Sequence, residues 1–140
     1  MRKQLAALYR VVAHFGMTDV IETHISARIS EDSSDFLVNR YGVMFHEMRA
    51  TDLVKLNVDG EMIDERKASD PKSCSVNAAG VVIHTAMHAG RRDLHVVVHT
   101  HTNAGIAVAA QESGLLPISQ HSMKFYNRLG YHDYEGERGS

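Results

Sequence analysis

The chain is poor in the features that mark secreted, membrane-spanning or nucleic-acid-binding proteins. It has one cysteine, Cys74, which excludes an internal disulfide framework and suits a reducing cytoplasm. Nothing in the sequence places a base beside Cys74, so it is not read as a nucleophile. No apolar run approaches the roughly 20 residues needed to span a bilayer. The start, Met1-Arg2-Lys3, leads into helically spaced apolar residues interrupted by Arg10, which does not fit a signal peptide. The formal net charge is -2 with no basic stripe, and Arg91-Arg92 reads as a solvated helix end, so no nucleic-acid partner is expected. There are only 2 prolines, and 44% hydrophobic with 23% charged residues is an ordinary globular balance. A length of 140 residues predicts a single domain, 1–140. Such a domain buries about two-thirds of its unfolded surface.

Histidine is what the chain has in excess. There are 10, five of them between residues 84 and 101, and they do not form the contiguous block of a tag. Clustered histidines favour metal or acid–base chemistry. The sharpest pattern is His99-Thr100-His101 after Val96, Val97 and Val98. Three β-branched residues in a row predict a buried strand. On a strand, residues i and i+2 share a face with Cα atoms about 6.5–7 Å apart. Two imidazoles so placed can converge on one cation, each at about 2.0–2.1 Å for zinc. Asn103-Ala104-Gly105 then turns into a helix, with Thr102 or Asn103 as the N-cap. The bland alternative is a pair of partly exposed polar residues, and two ligands do not complete a zinc site.

Periodicity predicts the remaining elements. The first 15 residues read as an amphipathic helix with Leu5, Leu8, Val12 and Phe15 on one face and Gly16 at its end. A short helix is expected over Asp19 to Thr23, then strands at Ile25–Ile29 and from Phe36. Asp52–Val58 and Glu61–Ile63 flank Asp59-Gly60, a strong hairpin signal. Glu65 to Ser75 is read as loop, Asn77 to Ala89 as a helix ending at Gly90, Leu94 to Thr100 as the histidine strand, and Ala104 to Glu112 as a helix. Leu116-Pro117-Ile118 is expected to be extended, the chain from Ser122 helical, and Tyr131–Tyr134 extended. Antiparallel-looking strands followed by helices around a strand indicate a layered α/β or α+β fold.

The other histidines sort by geometry. His95 lies about 13 Å from His99 along the strand and cannot share its metal. His84 and His88 share a helix face at i and i+4, but Thr85-Ala86-Met87 between them offers no glutamate, unlike HExxH sites. They are expected to face the strand end or a partner subunit. His14, His24, His46 and His132 have no local partner and are read as structural or exposed.

Several segments in order resemble the class II aldolase/adducin family. They are Thr23-His-Ile-Ser26-Ala-Arg28, Phe36-Leu-Val-Asn39-Arg-Tyr-Gly42, the Asp59-Gly60 hairpin, Gly80-Val-Val-Ile-His84, Arg92-Asp93, Val96 to Gly105, Gly114-Leu-Leu-Pro117 and Tyr131-His-Asp-Tyr134-Glu-Gly136. The resemblance implies a three-layer α/β/α fold with a central, largely antiparallel sheet. It implies a divalent metal, zinc first with iron or manganese as alternatives, held by His99, His101 and a third histidine. It also implies a cyclic homotetramer with sites between neighbouring subunits. Active members cleave or epimerise small sugar phosphates through a metal-stabilised enediolate. The third histidine belongs to a later part of the family domain, beyond Ser140, so the chain is expected to be truncated and Glu137 to Ser140 to be a cut end.

Two further departures bear on function. Gly80 stands where aldolases carry a catalytic glutamate, and glycine moves no proton. The segments matching phosphate-binding loops place Ser26, Asn39, Arg40 and Gly42 as substrate-binding candidates, yet Ala78-Ala79 lacks hydroxyls, with Arg40 left to supply charge. These losses resemble the adducin-like branch, whose members are cytoskeletal. His121 follows Pro117-Ile-Ser-Gln120, near where aldolase relatives place a tyrosine serving a neighbouring subunit, and is the candidate acid or base. Three functions are therefore expected. They are a cytoplasmic metal-dependent lyase on a small hydroxy-carbonyl substrate, a non-catalytic adducin-like assembly module, and a metal-dependent oxygenase or decarboxylase on the same fold.

Overall fold

A computed structural model describes residues 1–132, which fall into two compact units, Met1–Thr102 and a shorter one from Asn103 onward. The first unit holds helix α1 (Arg2–His14), strands β1 (His24–Arg28), β2 (Phe36–Asn39) and β3 (Leu53–Leu56), helix α2 (Ala78–Gly90) and strand β4 (Val96–His99). The four strands form one antiparallel sheet in the order β3-β2-β1-β4. The second unit holds α3 (Asn103–Ala109) and the single-turn α4 (Gln120–Met123). No helix among the described residues is long and apolar enough to cross a membrane.

Alternation along β1 sets the character of the sheet. Its sequence His-Ile-Ser-Ala-Arg is buried throughout, so both faces are covered. Ile25 and Ala27 point one way, with Leu37 of β2 and Leu53 of β3. Helix α1 lays Leu5, Ala6, Tyr9 and Val12 on that side, closing an apolar core with Val43, Phe45 and Met48. The buried stripe of α1 thus runs through Tyr9, and Phe15, expected on it, is exposed because the helix stops at His14. The Tyr9 hydroxyl receives the backbone N–H groups of Ile25 and Asn39, each at 3.0 Å, and also meets the Ile25 carbonyl, tying β1 to β2. Burial pushes its pKa far up.

His24, Ser26 and Arg28 point the other way, opposite His99 and Val97 of β4 and Val38 and Phe36 of β2. Helix α2 covers this face with Gly80, His84 and His88, a stripe at i, i+4 and i+8. Its aliphatic residues Val82, Ile83 and Met87 face outward instead. The usual arrangement of an amphipathic helix is therefore inverted.

Several expectations shift. The segment Asp19–Thr23 is a turn rather than a helix, closed by Glu22 N–H to the Asp19 carbonyl at 2.9 Å, and Val20 at φ +45° breaks any helical path. The hairpin turns at Asp59-Gly60 with Gly60 at φ +80°, which glycine adopts without a Cβ clash. Its arms are shorter than predicted, since β3 ends at Leu56 and the return is one bridge, Leu56 to Met62. Asn57 takes over the turn, its side-chain oxygen accepting from Asp59 and Glu61 N–H at 3.0 and 2.8 Å. Strand β4 is not buried. It forms an edge of this sheet, with Val96 42% and Val98 49% exposed, because β-branching favours extended backbone wherever the strand lies. Residues 116–118 form no strand, and Ile118 is exposed. Of the extended segment expected at 131–134, residues 133 and 134 lie outside the described residues.

Candidate metal centre

His99 closes β4 and His101 follows it. Their Nε2 atoms lie 2.7 Å apart, in hydrogen-bond contact, with the rings at 86° to one another. His101 Nδ1 lies 2.9 Å from an Asp19 carboxylate oxygen. A carboxylate only accepts, so His101 donates from Nδ1 and, in the neutral ring, keeps its Nε2 lone pair for the contact with His99. The proton between the two Nε2 atoms then belongs to His99, and a cation displacing it would find two imidazole donors. In donor chemistry and proximity this pair fits two ligands of a divalent transition metal. Among the described residues no three His, Cys, Asp or Glu side chains are grouped to hold a metal ion. The expected third histidine stays a sequence-based inference.

Behind the pair lies a histidine relay. His24 faces His99 across the β1–β4 ladder, and their rings stack with centroids 4.6 Å apart and planes at 18°. His24 Nδ1 meets His84 Nε2 at 2.6 Å. Ser26 Oγ bonds His84 Nδ1 on one side and His88 Nε2 at 2.8 Å on the other. Phe36 stacks on His88 at 4.7 Å. Arg28, also buried, directs its guanidinium at the carbonyls of His88 (2.7 Å), Leu94 (3.3 Å) and Ser33 (3.1 Å). It thereby caps the last turn of α2, where carbonyls lack helical partners.

Burial makes these histidines hard to protonate. The pKa of His24 is pushed down to about 4, by burial first and then by His99 and His101. That of His84 is pushed down to about 3, by burial and then by His24, His88 and His99. That of His88 is pushed down to about 4, by burial and the Arg28 charge. Burial, then His101, also lowers that of His99. At neutral pH the relay is therefore a set of neutral rings, the form in which imidazole binds metal.

The other candidates lie elsewhere. Ser26 is within the relay and fully buried, its hydroxyl held between two imidazoles rather than turned outward. Asn39 is on the opposite face of the sheet, buried beside Tyr9. Arg40 pairs with Asp52 at 3.2 Å and, with Gly42, lines a separate open cleft of about 570 Å³. His121 is exposed on α4 in the second unit. Gly80 lies in the first turn of α2, its N–H received by the Asn77 cap at 3.2 Å, and directly faces the His24 ring.

Sequence reasoning missed His24 and Asp19. His24 was legible only as the first polar residue of an alternating strand; its cross-strand partner His99 lies 75 residues on, from Cα pairing of 24 with 99.

Comparison with known proteins agrees with this architecture. The domain described as Class II Aldolase and Adducin N-terminal domain matches residues 3–139. An aldolase II superfamily protein from Pseudomonas syringae is 51% identical and superimposes with a TM-score of 0.86 over 96% of this chain and 52% of its own. An L-fuculose 1-phosphate aldolase from Glaciozyma antarctica PI12 is 29% identical, with a TM-score of 0.77 over 90% of this chain and 49% of its own. Alpha-adducin from Rattus norvegicus is 38% identical over 97% of this chain and 18% of its own length. The chain spans about half the length of the curated bacterial relatives it matches.

Proposed function

Since the chain belongs to the class II aldolase and adducin N-terminal domain family, we propose that it forms the metal-binding part of an aldolase-type lyase acting on a small hydroxy-carbonyl compound. The observation that carries this reading is the convergence of His99 and His101 Nε2 at 2.7 Å, with His101 oriented by Asp19. Zinc is the cation proposed, with iron or manganese as alternatives, and a divalent ion here would act as a Lewis acid on carbonyl and hydroxyl oxygens.

The chain's own residues do the rest. Asp19 holds the His101 tautomer, and burial keeps His24 and His84 neutral at neutral pH. Gly80 supplies no proton acceptor, so His121 is proposed as the acid or base. The exposed aliphatic stripe of α2 and the exposed valines of β4 support assembly of copies into a homo-oligomer, a tetramer by family likeness. A cytoplasmic location is proposed with it.

A second reading is favoured by one observation. Gly80 stands where the family likeness leads one to expect a glutamate, and a Cβ at position 80 would run into the His24 ring. A non-catalytic, adducin-like assembly module would keep the fold and the metal without turnover. Solvent-deuterium exchange into a panel of ketoses and hydroxy acids separates the two. The lyase reading expects metal-dependent exchange with at least one compound. Exchange with none, in metal-loaded protein, contradicts it and favours the module. Oxygen uptake with iron and none with zinc would move the reading to an oxygenase.

A further inference from the structure

A methyl group at position 80 would stand 2.8 Å from both Cδ2 and Nε2 of His24, and 3.1 Å from Cε1. Real Cβ atoms do not approach so closely, so a side chain at position 80 and the present His24 ring exclude one another. Gly80 has no left-handed backbone to explain it, because it sits inside α2. In a helix glycine costs about 1 kcal/mol relative to alanine. Its justification here is space, and the ring that takes the space is 5% exposed and stacked on His99.

The hydrogen bonds fix how that ring is held. His24 Nδ1 meets His84 Nε2 at 2.6 Å, and Ser26 Oγ lies between His84 Nδ1 and His88 Nε2. The Nε2 edge of the His24 ring faces Gly80. Turning the ring over would break the bond to His84. The 18° angle between the His24 and His99 planes sends their in-plane lone pairs side by side, not to one point, so His24 does not compete as a ligand.

We infer that His24 is a positioning residue for the metal ligand His99, admitted by the bare Cα of Gly80 and locked through His84 and Ser26 to His88. Strand β1 thereby supplies the side chain that fills the space over Gly80 and lies against His99. The inference rests on the metal reading above and adds the residue pair that shapes the site. Reinstating a glutamate through Gly80→Glu alone would displace His24 rather than restore an aldolase.

The test is a cycle of His24→Ala, Gly80→Ala and the double variant, read by Co²⁺ titration in visible absorbance and by thermal melting. Each single substitution is expected to weaken Co²⁺ binding about 10- to 100-fold, the usual effect of removing a group that orients a metal ligand. The double variant should bind no more weakly than His24→Ala, and Gly80→Ala should lower Tm only while His24 is present. Where Gly80→Ala alone fails to fold, the double variant should recover a folded chain. Additive losses, no recovery, or wild-type Co²⁺ affinity in His24→Ala would overturn the inference. Absence of Co²⁺ binding by the wild type overturns the metal reading and the role toward His99. The melting cycle then decides separately whether His24 and Gly80 share one volume.

Discussion

Both faces of the sheet are covered along β1 and β2, and they are built oppositely. Under α1 lie Ile25, Ala27, Leu37 and Leu53, packed against Leu5, Tyr9 and Val12. Under α2 lie His24, Ser26 and Arg28, facing His84 and His88. Burying apolar surface stabilises by about 25 cal/mol per Å², whereas burying polar groups costs free energy unless each finds a partner. On the second face Phe36, Val38 and Leu56 form a smaller apolar cluster with Val81 of α2, while its polar residues contribute little stability of their own and are held in one arrangement by each other. The α1 face holds the larger apolar core, and the α2 face packs the His24 ring against His99.

Substitutions can pull these roles apart. The largest effect is expected from Leu37→Ala, which opens a cavity under α1 and should lower unfolding stability by about 2–5 kcal/mol in urea titrations. Metal affinity of the remaining folded protein should not change; a large fall would show that the faces are not separable. Ser26→Ala leaves two buried imidazoles without their bridge and should lower stability by about 1–3 kcal/mol. It should also loosen metal binding, which Leu37→Ala does not.

Acid sharpens the contrast next. The pKa values of His84 and His88 are depressed to about 3 and about 4 in the folded state, below the ordinary 6.5. The unfolded chain thus binds protons first as pH falls, so the stability these rings contribute is complete above pH 6.5 and is lost progressively down to about pH 4. Urea midpoints should decline across that window, and a His84→Leu/His88→Leu variant should decline less steeply; equal slopes would remove the relay as the cause. The smallest effect is expected from His121→Gln. As an exposed residue it should leave stability within about 0.5 kcal/mol by urea titration, and metal content unchanged. Any effect should fall on turnover, if turnover is found.

What the sequence showed follows the same division. The α1 face was readable because apolar spacing reports burial directly, and Asn77, Gly60 and the His99/His101 pair follow local rules. The α2 face was not, because the side chains that α2 buries, His84 and His88, are polar while its Val82, Ile83 and Met87 are exposed. Val96–Val98 looked like a core strand and forms an edge, while His24 looked incidental and lies at the centre of the relay. Polar burial is decided by cross-strand and helix-to-strand pairing, which no local spacing records. The absence of a glutamate at Gly80 was plain in the sequence, but only the structure reveals that His24 uses the room.

The central claim is that this polar face exists to present His99 and His101 to a divalent metal. The most direct test is metal content by mass spectrometry of the purified protein beside a His99→Ala/His101→Ala variant that keeps its fold by circular dichroism. The account predicts near one equivalent of a divalent transition metal per chain, lost in the variant. No metal in either protein after reconstitution with zinc, iron and manganese, or equal metal in both, would contradict it.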